Sequence, residues 1–146
     1  MRRAAIVSPI RTGVGGYLGA LSALGAEESG ALVIRDLMTR TGLDPERVDE
    51  VVFAQGYPSG EAPCIGRWAA LAADLPLSVS GTQVDRRCGS GVQAIANAAM
   101  TSSTEPTPIS RYPKGSSLSG RPVVAICVST SIGLLEPRKN NTSVFH

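Results

Sequence analysis

Over residues 1–100, short apolar runs take turns with stretches of helical spacing, and this alternation limits the architecture more than any other feature. Ala4, Ala5, Ile6 and Val7 form an apolar run that stops at Pro9 and reads as a buried strand. A glycine-rich loop follows, with Gly13, Gly15, Gly16 and Gly19. Residues 27–41 then place Val33, Ile34, Leu37, Met38 and Thr41 on one helical stripe, and Gly42 stands where a left-handed C-terminal cap belongs. Asp44-Pro45-Glu46 restarts a helical turn, because a capping carboxylate precedes a first-turn proline. Val51, Val52, Phe53 and Ala54 read as the second strand, cut off by Gly56 and Pro58. Pro63 opens a helix whose face is Ile65, Trp68, Ala69 and Ala72 and which stops before Pro76. Leu77, Val79 and Val84 mark a third extended stretch over 77–86, with Gly81 as a bulge or a close approach. Val92, Ile95, Ala96 and Ala99 recur at i, i+3, i+4 and i+7 and give the last helix.

Strands joined through helices of crossover length pair in parallel. The expected fold class is therefore α/β, an incomplete parallel sheet with flanking helices whose alanine-rich faces pack closely. A three-stranded sheet has open edges, which call for further strands or a partner chain.

Composition changes near residue 100. Residues 1–100 hold 16 of the 17 alanines and no lysine, with 9 arginines against 10 acids. Residues 101–146 hold 14 Ser/Thr, where the first hundred residues hold 11, and 5 cations against 2 acids. We therefore divide the chain into 1–100, the half-domain that carries the chemistry, and 101–146, a divergent Ser/Thr/Pro-rich tail. The tail opens on a polar, linker-like run, residues 101–108, and contains an uncharged strand-prone run from Val123 to Val128.

A net charge of +2 without a cationic cluster argues against nucleic acid as a partner. No apolar stretch reaches the about 18 residues a membrane span requires, and Pro9 and Arg11 interrupt any signal-peptide core. Three cysteines do not make a disulfide framework. These features lead us to expect a soluble, cytoplasmic chain that binds neither membrane nor nucleic acid.

The chemistry is concentrated in Val84-Asp85-Arg86-Arg87-Cys88-Gly89-Ser90-Gly91-Val92-Gln93-Ala94-Ile95. Here a cysteine leaves a strand and enters the first turn of a helix. Unpaired backbone N–H groups at that point favour a thiolate. Arg86 and Arg87 add positive potential if they point toward the sulfur, and Gly89 and Gly91 leave room for an acyl group. Nucleophile, field and access coincide, which suits attack of Cys88 on a carbonyl or thioester. Cys64 and Cys127 read as structural, Cys64 near a helix start whose face accounts for it and Cys127 in a strand-like run.

Residues 1–100 resemble the N-terminal part of the thiolases, the acetyl-CoA acetyltransferases and 3-ketoacyl-CoA thiolases. The resemblance rests on Arg11-Thr12 with the glycine loop, Leu18-Gly19-Ala20-Leu21-Ser22, Val48-Asp49-Glu50-Val51 and Arg67-Trp68-Ala69-Ala70-Leu71-Ala72. Its most specific part is Arg86 to Ile95, which matches the acyl-enzyme signature. The resemblance implies a layered αβαβα fold, usually dimeric, with the strand before the nucleophile near the dimer interface. It also implies that Cys88 takes the acyl group of an acyl-CoA, that the coenzyme A thioester is a substrate, and that no cofactor is permanently bound. Gly13, Gly16 and Asp85 depart from the family pattern, and a carboxylate at Asp85 is expected to oppose thiolate formation.

The family's other motifs are not found in this sequence: the Gly-His-Pro base, the Asn-Glu motif of the oxyanion site, and the second, glycine-flanked cysteine. The single histidine, His146, is the last residue. We therefore expect no independent turnover, and the alternative is a non-catalytic half-thiolase, either a pseudoenzyme or a dimerisation fragment. A dinucleotide-binding module is a minor alternative, since Gly89-x-Gly91-x-x-Ala94 fits a variant fingerprint but lacks the acidic residue about 20 positions on. For the tail, the abrupt change suggests a shifted reading frame or a misjoined exon.

Overall fold

The structure is a computed structural model, and it describes residues 4–58, 60–103 and 125–130. Helix α1 (Ala26–Thr41) precedes β1 (Glu50–Gln55), α2 (Ile65–Ala72), β2 (Ser80–Val84), α3 (Ser90–Ser103) and β3 (Ala125–Thr130). Two 3-10 turns, Pro45–Arg47 and Arg87–Gly89, lead into β1 and α3 respectively. The strands form one parallel sheet in the order β2-β1-β3, with Val52 opposite Thr82 on one side and Cys127 on the other. The fold is thus the expected α/β class with an incomplete parallel sheet.

Local chemistry sets the element boundaries. Helix α1 ends on Gly42, left-handed at φ 61 and ψ 21, whose N–H bonds the Met38 carbonyl oxygen. Asp44 accepts from the Glu46 N–H at 3.0 Å and Pro45 follows it, so the short turn forms where expected. Alternation along β1 divides the core. Val51 and Phe53 face α1 and α2 with Ile34, Ile65 and Ala69, while Val52 and Ala54 face α3 with Val84, Ala94 and Ala98. The chain moves from β1 outward to β2 under α2, then returns past β1 to β3 under α3. Two right-handed crossovers in opposite directions require opposite faces, as observed. Helix and sheet meet closely: a Cβ on Gly66 would lie 2.5 Å from the Thr82 carbonyl oxygen, and one on Gly81 2.2 Å from the Arg67 nitrogen. Gly81 is therefore a close approach.

Several expectations are corrected. Residues 4–7 are not a strand, and Ile6 is 77% exposed. The run ends at Ser8, left-handed at φ 50, and at Pro9, which has no N–H to donate, so it offers a ladder few bonds. On α1, Ile34 of the expected stripe is buried and Leu37 and Met38 pack partly buried against the core, while Gly30 and Ala31 join it and Thr41 is exposed. On α2, Ile65 and Ala69 of the expected face are buried together with Gly66 and Ala70, and Ala72 packs partly buried against the core, but Trp68 is half exposed. Leu77 is exposed, before β2 begins. On α3 the sheet takes Ala94 and Ala98, and the expected stripe faces outward, with Val92 75% exposed.

Within the compositionally distinct tail, residues 125–130 add β3 to the free side of β1. The polar run from residue 104 onward, Val123 and Val124, and His146 lie outside the described residues.

Candidate active site

The sheet's parallel sense brings the loops after β1 and β2 to one rim, the carboxyl edge, where ligands of such sheets bind. The chain leaves β2 at Val84, makes the turn Arg87–Gly89 and enters α3 at Ser90. Cys88 lies in that turn, exposed, at the amino end of a 14-residue helix. It is neither within a strand nor beneath apolar side chains.

The turn is held by its neighbours. Arg87 is left-handed at φ 51. Its N–H donates to Asp85 Oδ1 at 3.0 Å, and its guanidinium bonds Asp85 Oδ2. The same guanidinium stacks over the Tyr57 ring, 4.5 Å from the centroid. The loop leaving β1 runs directly against the turn: a Cβ on Gly56 would be in van der Waals contact with Arg87 Cα, 3.4 Å away. The Ser90 hydroxyl accepts from the Arg86 N–H at 2.8 Å and donates to the Arg87 carbonyl at 2.7 Å. Arg86 reaches Gln93, which in turn donates to Asn97 Oδ1 at 2.7 Å.

Electrostatically, Asp85 and Arg87 cancel each other. Bonds from the Arg87 backbone and side chain hold the Asp85 carboxyl below the usual carboxylate range. Neither arginine has its guanidinium reserved for the sulfur, since Arg86 is engaged by Gln93 and Arg87 by Asp85 and Tyr57.

Cys64 is exposed and does not sit on the buried face of α2. It precedes the helix at φ 55, and its thiol donates to the Gly81 carbonyl oxygen at 3.2 Å. Arg11 and Thr12 are exposed in the loop that precedes α1 and carry no described contact with the turn. Ser90 and Tyr57 were not singled out from the sequence. A serine opening a helix is a recognisable capping residue, whereas nothing local marks Tyr57 as the surface under Arg87. Among the described residues no group of His, Cys, Asp and Glu could hold a metal ion, and no helix is long and apolar enough to cross a membrane. An exposed thiol at a helix start, followed by Gly89 and Gly91, is an arrangement that supports nucleophilic attack on an acyl carbon.

The chain is similar to several known proteins. The profile of the family "Thiolase, N-terminal domain" matches residues 4–105. An acetyl-CoA acetyltransferase of Pseudomonas aeruginosa is 41% identical over 95 residues, covering 65% of this chain and 24% of the relative. A 3-oxoadipyl-CoA/3-oxo-5,6-dehydrosuberyl-CoA thiolase of Escherichia coli is 44% identical over 101 residues, covering 68% of this chain and 25% of the relative. The crystal structure of the Bacillus anthracis acetyl-CoA acetyltransferase superposes with a TM-score of 0.58 at 36% identity, over 60% of this chain and 22% of that one. The chain thus spans about a quarter of the length of the curated relatives it matches.

Proposed function

This chain belongs to the thiolase family, of which it carries an N-terminal α/β portion, and from that premise we propose that Cys88 accepts the acyl group of an acyl-CoA. The Cys88 thiolate attacks the thioester carbonyl, a bond forms between Sγ and the carbonyl carbon, and the bond from that carbon to the coenzyme A sulfur breaks. The proton released by Cys88 ends on the coenzyme A thiol. Coenzyme A thioester is a substrate in this reading, and no resident cofactor takes part. The observation that carries it is the exposed Cys88 in the turn Arg87–Gly89 at the start of α3.

The sequence as given has no Gly-His-Pro motif, so the reading is acyl acceptance without steady-state turnover by this chain alone. Nucleophile without base or oxyanion donors does not complete a cycle. Association with a second thiolase chain belongs to the same reading, supported by the outward apolar face of α3 at Val92 and Ile95. The test is incubation of the purified chain with acetyl-CoA, followed by peptide mass spectrometry. We expect a hydroxylamine-labile acetyl group on the Cys88 peptide, absent in Cys88→Ser, and no steady-state thiolysis of a 3-ketoacyl-CoA. A native chain that never becomes acetylated at Cys88 would remove the proposal.

A further inference from the structure

We infer that Ser90 is a positioning residue for the Cys88 sulfur, acting through the two peptide units that precede it. The inference deepens the acyl-acceptor reading and takes from it the premise that the placement of Cys88 matters. All four backbone polar atoms of Arg86 and Arg87 are engaged. The Arg86 carbonyl accepts from the Gly89 N–H at 3.0 Å, and the Arg87 N–H donates to Asp85. Of the other two, the Arg86 N–H donates to the Ser90 hydroxyl, and the Arg87 carbonyl accepts from that hydroxyl as well as from the Ser90 N–H.

This matters because Arg87 is a non-glycine residue at φ 51. Such a conformation is disfavoured for a residue that carries a Cβ and persists only where the surroundings over-determine it. Ser90 is 3% exposed, and loss of its hydroxyl takes that acceptor from the Arg86 N–H and leaves the Arg87 carbonyl with the Ser90 N–H as its remaining donor. The peptide between Arg87 and Cys88 is planar and trans. Fixing the Arg87 carbonyl therefore fixes the direction of the Cys88 N–H and of the bond that carries the sulfur. Without the hydroxyl, Arg87 relaxes toward right-handed angles and the sulfur leaves its place before α3. Ser90 touches neither substrate nor sulfur in this account.

The experiment is alkylation of the intact 146-residue chain by iodoacetamide, read peptide by peptide, with exposed Cys64 as the internal reference. The sulfur displaces iodide, so the readout needs no acyl substrate. Ser90→Ala and Ser90→Gly are expected to lower the Cys88-to-Cys64 rate ratio roughly fivefold, the factor equivalent to one net hydrogen bond. Ser90→Thr, which keeps the hydroxyl, is expected to restore most of the ratio. An unchanged ratio in the Ala and Gly variants overturns the inference, and so does a fall that Thr does not reverse. A slowing or quickening shared by both cysteines leaves the ratio unchanged and also overturns it, because it reports general loosening. Acetylation of the native chain is scored separately. No acetylation together with a lowered ratio removes the acyl-acceptor reading and keeps Ser90, whereas acetylation with an unchanged ratio does the reverse.

Discussion

Asp85 does with a charged oxygen what a neutral amide oxygen would also do, accepting the Arg87 N–H at 3.0 Å, and it adds a bond to the guanidinium. Those bonds favour the ionised carboxyl in the folded chain, so its affinity for protons is lower than in the unfolded chain. The sign of the linkage follows: the contribution is complete above the unfolded carboxylate range and is lost as pH falls through the depressed folded value. We expect the Asp85 carboxyl, followed by carbon NMR, to titrate below exposed reference carboxylates, and Arg87→Gln to return it toward them. A native midpoint in the ordinary range would contradict the pairing. The sequence made the position of Cys88 legible because Val84, Gly89 and Val92 mark the change from strand to helix around it. The partners of Arg86 and Arg87 were not legible. They depend on a left-handed residue and on Tyr57, which arrives from the other side of a 30-residue excursion through α2 and β2.

Helix α2 lies against the sheet at backbone distance, and that closeness is set by two glycines. A Cβ at Gly66 would meet the carbonyl oxygens of Thr82 and Val51 at 2.5 and 2.8 Å, and neither can move without parting helix from strands. Gly66→Ala is expected to cost about 1–3 kcal/mol by overpacking. Each kcal/mol corresponds to a fall of about 4–8 °C in the midpoint of a small domain. Thermal denaturation followed by circular dichroism measures it, with Gly60→Ala as the neutral control because nothing lies within 4 Å of a Cβ there. Equal midpoints for the two variants would contradict the packing. The same closeness explains which helical stripes were misjudged from sequence. Periodicity selects the bulkiest recurring residues, Trp68 on α2 and Val92 and Ile95 on α3. On α2 the core takes Ile65 and Ala69, which the periodicity names, together with Ala70, and leaves Trp68 half exposed; on α3 the sheet takes Ala94 and Ala98. A helix with two apolar faces gives the period without saying which face is taken. Residues 4–7 failed differently: their apolar character was real, but among the described residues no strand pairs with them.

For the molecule as a whole, we propose that thiolase sequence gives way near residue 100 to residues of separate origin, through a shifted frame or a misjoined exon. The compositional break supports this, as does a family match that ends at residue 105. The pairing of β3 is compatible with either origin, since a short uncharged run will join an open sheet edge. Sequencing of the coding DNA is expected to show a thiolase continuation in a neighbouring frame or exon, and a contiguous gene without one would refute the proposal. The order β2-β1-β3 bears on what could be joined to this sheet. The innermost strand was laid down first and is flanked on both sides, so the winding has already spent both directions. Any enlargement proceeds outward, past β2 or past β3, and the stretch bearing Cys88 stays beside the oldest axis of the sheet however wide it grows.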